Sequence, residues 1–359
     1  MKFKSKFLFK NFINHFNQKI VLPNGYTPAK PIQFNIIPTY KCNCRCKMCS
    51  FYKNRTEDMK YGDIKVGLSN IKKWMIDPFF INISGGVPLV YKNIYDLLQF
   101  CRNNEIYANL TTNGYLLTKE NCDKLIEANL AYLNISIDSL SPGVHNEIRR
   151  KKGLLERALS GIDYLSSNNV IIGINTVISN KNIQELEDFT IKMFEDYKIS
   201  RLIFQPITPT FGEKISINEF IETSDFWIRD MQLLDNSLIK LIGLKNRYNI
   251  LNSKQDIKNY YSYFKNPLKE TNKINKCRVG TQNFFIDVNG DIRFCWPFNP
   301  IGNIFSHGFE ASKVWNSQEA RKTRLKALNC KMNCTSRCHT SFSLYQKIKL
   351  YFSLRHKSS

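Results

Sequence analysis

The chain has 359 residues, of which 43% are hydrophobic and 13% aromatic, enough to build the cores of one large and one smaller domain. Its 52 basic and 30 acidic residues give a formal net charge of +22. No apolar run approaches the roughly 18 residues that a membrane-spanning helix requires. The basic start lacks the apolar core and cleavage site of a signal peptide, so we expect a cytoplasmic protein.

The positive charge concentrates at the two ends of the chain, in predicted basic segments 1–30 and 341–359. Residues 1–19 carry five lysines, no acid and five interleaved phenylalanines, and the C-terminal segment carries four basic residues and no acid. Either segment suits a basic amphipathic helix on an anionic membrane, which predicts peripheral contact with the inner face of the membrane. The alternative is a terminal helix docked on the protein's own core with a solvated basic face.

Residues 31–212 alternate short β-branched runs with helix-length segments. Continuous apolar runs of this kind are typical of parallel strands buried on both faces. The six predicted strands are Gln33–Ile37, Phe80–Ser84, Tyr107–Thr111, Tyr132–Ile137, Ile171–Ile178 and Arg201–Pro206. We predict an α/β fold, a partial (β/α)6 TIM-like barrel, whose functional residues gather at the carboxyl ends of the strands.

The first group of cysteines follows the first predicted strand directly. Cys42, Cys46 and Cys49 are separated by three and by two residues, and Cys44 is an extra thiol inside the loop. Three thiolates on so short a segment can hold a [4Fe–4S] cluster and leave one iron open for a further ligand. A structural zinc site is the alternative, but such sites usually show paired CxxC elements, and this segment has one.

The second group of cysteines lies in a predicted α+β domain, residues 276–340, which follows a helical connecting segment at 213–275. Its five members are Cys277, Cys295, Cys330, Cys334 and Cys338. Asn289-Gly290 predicts a hairpin between the first two, and a hairpin brings its ends together. A second iron–sulfur cluster or a zinc ion fits this group.

The first cysteine motif, its position after a strand and the polar motifs at later strand ends resemble the radical SAM superfamily. The second group resembles the SPASM auxiliary-cluster domain and its shortened form, Twitch. The resemblance implies an enzyme of oxidoreductase or maturase type in which a [4Fe–4S] cluster on Cys42, Cys46 and Cys49 reductively cleaves S-adenosylmethionine (SAM). The resulting 5′-deoxyadenosyl radical abstracts hydrogen from a substrate. Five cysteines, against seven in a full SPASM domain, favour a single auxiliary [4Fe–4S] cluster, with one of Cys330, Cys334 and Cys338 spare.

The same resemblance implies a set of SAM-binding residues at successive strand ends. Ser84-Gly85-Gly86-Val87 is similar to the family's Gly-Gly-Glu-Pro element with Val in place of Glu, and Met48 stands where the family often has an aromatic residue. The implied SAM contacts are Met48, Ser84, Gly85, Gly86, Val87, Asn113, Ser136, Asp138, Arg149 and Asn175. Each alone has an ordinary structural explanation, such as a turn, a helix cap or a solvated arginine.

The predicted substrate is a peptide or protein that is oxidised or otherwise modified, with an electron donor such as flavodoxin or ferredoxin as partner. The alternative is the same chemistry on a small sugar or glycan-pathway molecule. From another class, a non-catalytic zinc-binding protein that contacts nucleic acid also fits the charge and the cysteines. The basic residues are not gathered with the cysteines and no nucleic-acid-binding motif occurs, which disfavours that alternative.

Overall fold

The computed structural model describes residues 9, 12–75, 79–208, 217–267 and 277–334. Cys338 and the predicted basic segment 341–359 lie outside these residues. None of the helices in the described ranges is long and apolar enough to cross a bilayer.

Six parallel strands form the main part of one sheet and follow each other in chain order. They are β1 (Gln33–Thr39), β2 (Phe80–Gly85), β3 (Tyr107–Thr112), β4 (Tyr132–Ser136), β5 (Ile172–Ile178) and β6 (Arg201–Pro206). All six strands were expected, and their ends differ from the prediction by at most two residues. The predicted α/β class and six-stranded partial barrel are confirmed.

Helices connect the strands and cover one face of the sheet. They are α1 (12–17), α2 (Tyr61–Trp74), α3 (Ile94–Asn103), α4 (Lys119–Glu127), α5 (Pro142–Arg149), α6 (Leu154–Ser167), α7 (Leu186–Glu195), α8 (Ile217–Thr223), α9 (Met231–Leu244), α10 (Lys254–Lys265), α11 (Val279–Gln282), α12 (Ala311–Asn316) and α13 (Gln318–Leu328). Thr118 caps α4 as expected, because its hydroxyl accepts a hydrogen bond from the Asn121 backbone.

The strands alternate between an apolar and a polar face, which the prediction of continuous apolar runs did not anticipate. Ile83 and Leu110 are fully buried in the core beneath the helices. On the opposite face, Asn82, Asn109 and Asn134 occupy the intervening positions. The concave face of the barrel therefore carries carboxamides, and the hydrophobic core lies outside it.

The predicted C-terminal hairpin continues the same sheet. β7 (Asn283–Ile286) pairs in parallel with β1, and β8 (Asp291–Arg293) returns antiparallel to β7, followed by β9 (Gly302–Asn303). Gly290 turns the hairpin at φ +78°, in the left-handed region that favours glycine. β1 is therefore shared between the barrel and the C-terminal domain.

The buried side chain of Arg324 ties the chain's N-terminal segment to the C-terminal helices. From α13 its guanidinium donates hydrogen bonds to the backbone oxygens of Gly280, Trp315 and Gly25. It also lies over the ring of Trp315, 4.5 Å from the centroid. Backbone acceptors and an aromatic face thus solvate this cation.

We expect Arg324→Met to lower the free energy of unfolding by about 2–4 kcal/mol, because three buried carbonyl oxygens lose their donor. Lys322→Met is the matched control, since this side chain on the same helix is exposed and its loss should leave the unfolding midpoint almost unchanged. Urea denaturation of both variants measures the difference. Equal midpoints for the two variants would contradict the assigned role of Arg324.

Candidate active site

The cysteine loop leaves the carboxyl end of β1 and is held by the end of α5. Lys47 donates its backbone N–H to the Ile148 oxygen at 2.9 Å, and Arg45 donates to the Arg149 oxygen at 3.4 Å. The Arg45 side chain returns to the loop's own carbonyl oxygens at Cys42 and Cys44. The loop conformation therefore depends on a helix that lies about a hundred residues further along the chain.

Four thiols meet inside this loop. Cys44 and Cys46 are buried and Cys42 and Cys49 are half-buried. The Cys44 thiol hydrogen-bonds both Cys42 and Cys46, which lowers the pKa of Cys42 to about 7 and lowers that of Cys46. The same contacts raise the pKa of Cys44, and burial raises the pKa of Cys49 to about 11.

These thiols fit an iron–sulfur cluster in the chemistry of the donor set. The lowered pKa of Cys42 and of Cys46 favours the thiolate, the form that binds iron. Within the described ranges, no three Cys, His, Asp or Glu side chains are arranged around a shared metal position. The predicted ligands Cys42, Cys46 and Cys49 have the chemistry that a cluster needs, and the Cys44 thiol interacts with the first two.

A buried ion pair lies beside the thiols. Arg149 donates from Nε and a terminal nitrogen to the two carboxylate oxygens of Asp138, at 2.7 and 3.0 Å. Burial works against ionisation of Asp138, but the charge of Arg149 and its hydrogen bonds outweigh it and hold the pKa of Asp138 below its usual value. The positive charge of Arg149 also favours the thiolate form of Cys42, Cys46 and Cys49.

Further hydrogen bonds fix Asp138 in place. Its carboxylate accepts from the Val177 backbone of β5 at 3.0 Å, and its carbonyl oxygen accepts from Asn182 at 2.7 Å. Its backbone N–H donates to Nδ1 of His145, whose pKa burial lowers to about 4. Sequence reasoning did not single out His145 or Asn182, because a single sequence does not show that both side chains fold back onto Asp138.

The two glycines after β2 lie directly against the cysteine loop. Gly85 has φ +119°, and a Cβ there would overlap the Ile37 side chain and come within 2.7 Å of the Thr39 oxygen. A Cβ at Gly86 would overlap the Lys41 carbonyl oxygen. Ser84 is half-buried at the end of the strand, and the Val87 side chain is buried in the core while its N–H donates to the Lys41 oxygen. Close packing of two backbones thus accounts for both glycines.

Asn113 connects the end of β3 with the cysteine loop. Its side-chain nitrogen donates to the Asn43 oxygen at 2.7 Å and to the Cys44 sulfur at 2.9 Å. Met48 packs against the same buried cysteine cluster. The structure therefore brings Asn113, Met48, Asp138 and Arg149 together around the thiols.

Ser136 and Asn175 lie opposite each other on β4 and β5 and are both half-buried. Their neighbours on the concave face form the carboxamide surface, which we define as Asn35, Asn82, Asn109 and Asn134. Sequence reasoning missed this surface. The signal was present, because Asn82, Asn109 and Asn134 each precede a polar residue by two positions in the strand.

The carboxamide surface has unused hydrogen-bonding capacity. Asn82 donates to Asn35 and accepts from Thr111, and Asn134 accepts from Arg201 at 3.2 Å. Asn109 is 1% exposed, and both polar atoms of its side chain lack a hydrogen-bond partner among the described residues. A buried carboxamide left unpaired is costly, so Asn109 is suited to a polar ligand.

The second cysteine group is described up to Cys334. Cys295 follows β8 at the open end of the hairpin, Cys277 precedes α11 and β7, and both cysteines are half-buried. Cys330 and Cys334 follow α13, and Cys334 lies near enough to Tyr263 to raise the pKa of that phenol, together with burial as the larger cause. Four half-buried thiols are the type and number of ligands that an iron–sulfur cluster requires.

We expect Asp138→Asn to lower the free energy of unfolding by about 3–5 kcal/mol, because the variant leaves the Arg149 charge buried without its carboxylate. Glu147→Gln is the matched control on α5, the helix that carries Arg149, since that side chain is exposed and forms an ion pair with Lys47. Its unfolding midpoint in urea should match that of the wild type. A wild-type midpoint for Asp138→Asn would show that the ion pair does not hold the site together.

Family models match both parts of the chain. The Radical SAM superfamily model matches residues 36–190, and the SPASM model, an iron–sulfur cluster-binding domain, matches residues 277–339, a range that includes Cys338. The first match covers the barrel from within β1 to the start of α7, with the cysteine loop, and the second covers the C-terminal domain with the second cysteine group.

Named relatives and solved structures agree with these matches. An AdoMet-dependent heme synthase from Oleidesulfovibrio alaskensis is 25% identical over 246 residues, 66% of this chain and 61% of the relative. The mycofactocin maturase MftC from Mycolicibacterium smegmatis is 25% identical over 154 residues, 42% of this chain and 38% of the relative. The match thus spans less than two thirds of either relative.

The crystal structure of Streptococcus suis SuiB bound to precursor peptide SuiA has a TM-score of 0.60 at 20% identity, over 82% of this chain and 66% of that chain. At this identity the likeness is one of fold. The cofactors that the two domains imply are SAM, a [4Fe–4S] cluster and an auxiliary iron–sulfur cluster. Residues 36–190 of this chain thus match the radical SAM superfamily, and residues 277–339 match the SPASM iron–sulfur cluster-binding domain.

Proposed function

We propose that this chain is a radical SAM enzyme of oxidoreductase or maturase type that removes a hydrogen atom from a peptide substrate. The observation that carries the proposal is the group of thiols beside the buried Arg149, at the carboxyl end of a parallel sheet. Cys42, Cys46 and Cys49 hold the SAM-binding cluster in this proposal. Cys277 and Cys295, with two of Cys330, Cys334 and Cys338, hold one auxiliary cluster.

When bound, the cluster and SAM supply a 5′-deoxyadenosyl radical, which takes a hydrogen atom from the substrate. The protein itself binds and orients the cofactor and the substrate and shields them from competing reactions. Arg149 favours the thiolate forms by its charge, and Asp138 positions Arg149. Burial of Cys44 and Cys46 keeps water from the inner side of the loop.

The residues around the thiols are proposed to bind SAM. Asn113 presents an amide at the cysteine loop, and Ser136 and Asn175 present polar groups on adjacent strands. Gly85 and Gly86 bring backbone groups of β2 close to the loop. The remaining proposed contacts lie next to these residues or in the same motif. They are Met48, Ser84, the backbone of Val87, and Arg149 together with Asp138, which binds Arg149.

The carboxamide surface supports a neutral, polar substrate. Carboxamides both donate and accept, which matches the amide groups of a peptide and also the hydroxyl groups of a sugar. The names of MftC, a maturase, and of SuiB with its precursor peptide favour the peptide. A small sugar or glycan-pathway molecule is the second candidate, on the same surface.

The cluster assignment predicts the iron content of the protein. Anaerobically reconstituted wild type should contain about eight irons, and the Cys42/Cys46/Cys49→Ala variant about four, since one of two [4Fe–4S] clusters is lost. The EPR spectrum of the reduced protein should change on addition of SAM in the wild type alone. Iron and sulfide analysis with EPR measures both.

Cys44→Ala is the matched control in the same loop, and we expect it to retain about eight irons. A zinc-loaded protein without iron after reconstitution would contradict the proposal and favour the zinc-binding alternative. Loss of four irons in Cys44→Ala would instead place Cys44 among the ligands.

The substrate class can be read from the hydrogen atom that is transferred. With a deuterated peptide pool, we expect deuterium in the 5′-deoxyadenosine that the enzyme releases, because the abstracted atom ends on its 5′ carbon. Mass spectrometry of 5′-deoxyadenosine measures the label. Label from a deuterated sugar and cyclitol pool, with none from peptides, would replace the peptide by the small-molecule candidate. Reduced flavodoxin or ferredoxin is the proposed electron donor for this assay.

A further inference from the structure

An amphipathic helix of a soluble protein usually buries its apolar face. The N-terminal helix α1 instead packs against the protein with its polar face. Asn14 and Gln18 are 5% and 2% exposed. At 3.6 residues per turn, positions 14 and 18 lie on one side, and positions 9, 12, 13 and 16 lie on the other. Phe9, Phe12 and Phe16 on that other side are 63%, 45% and 47% exposed.

Specific hydrogen bonds determine this orientation. The Asn14 side chain donates to the Lys30 oxygen and accepts from the Lys30 N–H, at 3.0 and 2.8 Å. The backbone oxygen of Gln18 accepts from the Thr281 hydroxyl at 2.9 Å and from the Arg278 side chain at 3.4 Å. The Asn14 side chain thus joins the helix to Lys30, the Gln18 backbone just after the helix joins it to the C-terminal domain, and the apolar side faces solvent.

The apolar surface extends beyond the helix. Of the ten large apolar side chains that are well exposed in the described residues, seven lie within residues 9–26. We call these seven the N-terminal apolar surface: Phe9, Phe12, Ile13, Phe16, Ile20, Leu22 and Tyr26. Single exposed apolar side chains need no explanation, but seven within one short segment indicate an interaction site.

The segment that carries this surface contains basic residues and no acidic residue. The Lys19 ammonium lies 5.4 Å from the Phe16 ring centroid, and the Arg321 guanidinium lies 5.6 Å from that of Tyr26. Residues 1–30 contain six lysines, and the first acidic residue of the whole chain is Glu57. Phenylalanines flanked by lysines are the composition of a helix that lies in an anionic membrane interface.

We propose that the N-terminal apolar surface docks on the surface of an anionic lipid bilayer, with the phenylalanines in the acyl boundary and the lysines at the headgroups. Charge complementarity selects this occupant. A second copy of the chain brings the same basic segment and a net charge of +22, so two such surfaces repel each other. This proposal is independent of the reaction and holds the C-terminal domain near the membrane through Thr281 and Arg278.

Vesicle flotation of the full chain, purified anaerobically with its clusters, tests the proposal. Wild type should float with phosphatidylcholine vesicles that contain phosphatidylglycerol and bind pure phosphatidylcholine at least about tenfold more weakly. Phe12→Ser/Phe16→Ser should weaken binding to the anionic vesicles at least about tenfold, since two rings that would be buried in the bilayer are lost. Lys19→Gln should weaken it roughly fivefold.

Ile239→Ser is the matched control, because Ile239 is 59% exposed on α9, outside residues 1–30, and the variant should float like the wild type. Thermal melting checks that the phenylalanine variant stays folded. Wild type that stays unbound on anionic vesicles, or a Phe12/Phe16 variant that floats like the wild type, overturns the proposal. A wild-type dimer that this variant converts to a monomer, without flotation of either, assigns the surface to self-association instead.

Discussion

The buried pair of Asp138 and Arg149 is the interaction on which the rest of the site depends. It joins the end of β4 to the end of α5, and the backbone beside Arg149 holds the cysteine loop through Arg45 and Lys47. The carboxylate also anchors β5 through Val177. A buried ion pair adds little net stability by itself, but it makes any other arrangement of these segments costly. The position of the thiols relative to the strands follows from this constraint.

β1 extends that constraint to the second cysteine group. It pairs with β2 on one side and with β7 on the other, and it leads directly into the cysteine loop. The glycines after β2 press against that loop on the barrel side. The C-terminal hairpin is thus an extension of the barrel's sheet rather than a separate body, and both sites share one strand as their common reference.

Local patterns in the sequence predicted the strands, the hairpin and the first cysteine loop, because period, turn residues and cysteine spacing are short-range signals. They did not predict that Asp138 and Arg149 bind each other, or that Val87 turns into the core, since both depend on how separate elements pack. The role of Cys44 between two predicted ligands was equally out of reach. The carboxamide surface was accessible in principle, and it was missed because the strands were taken as uniformly apolar.

The orientation of α1 shows why amphipathicity alone does not say which face a helix buries. The hydrophobic effect is non-directional and favours burial of the phenylalanine side, whereas Asn14 and the Gln18 carbonyl offer hydrogen bonds that match the Lys30 and Thr281 groups. In water alone, leaving the phenylalanine rings exposed costs free energy, because apolar surface stays in contact with water. A lipid surface removes the cost without breaking the hydrogen bonds, so one environment satisfies both faces of the helix. The excess of lysine in the same segment is then part of the same adaptation.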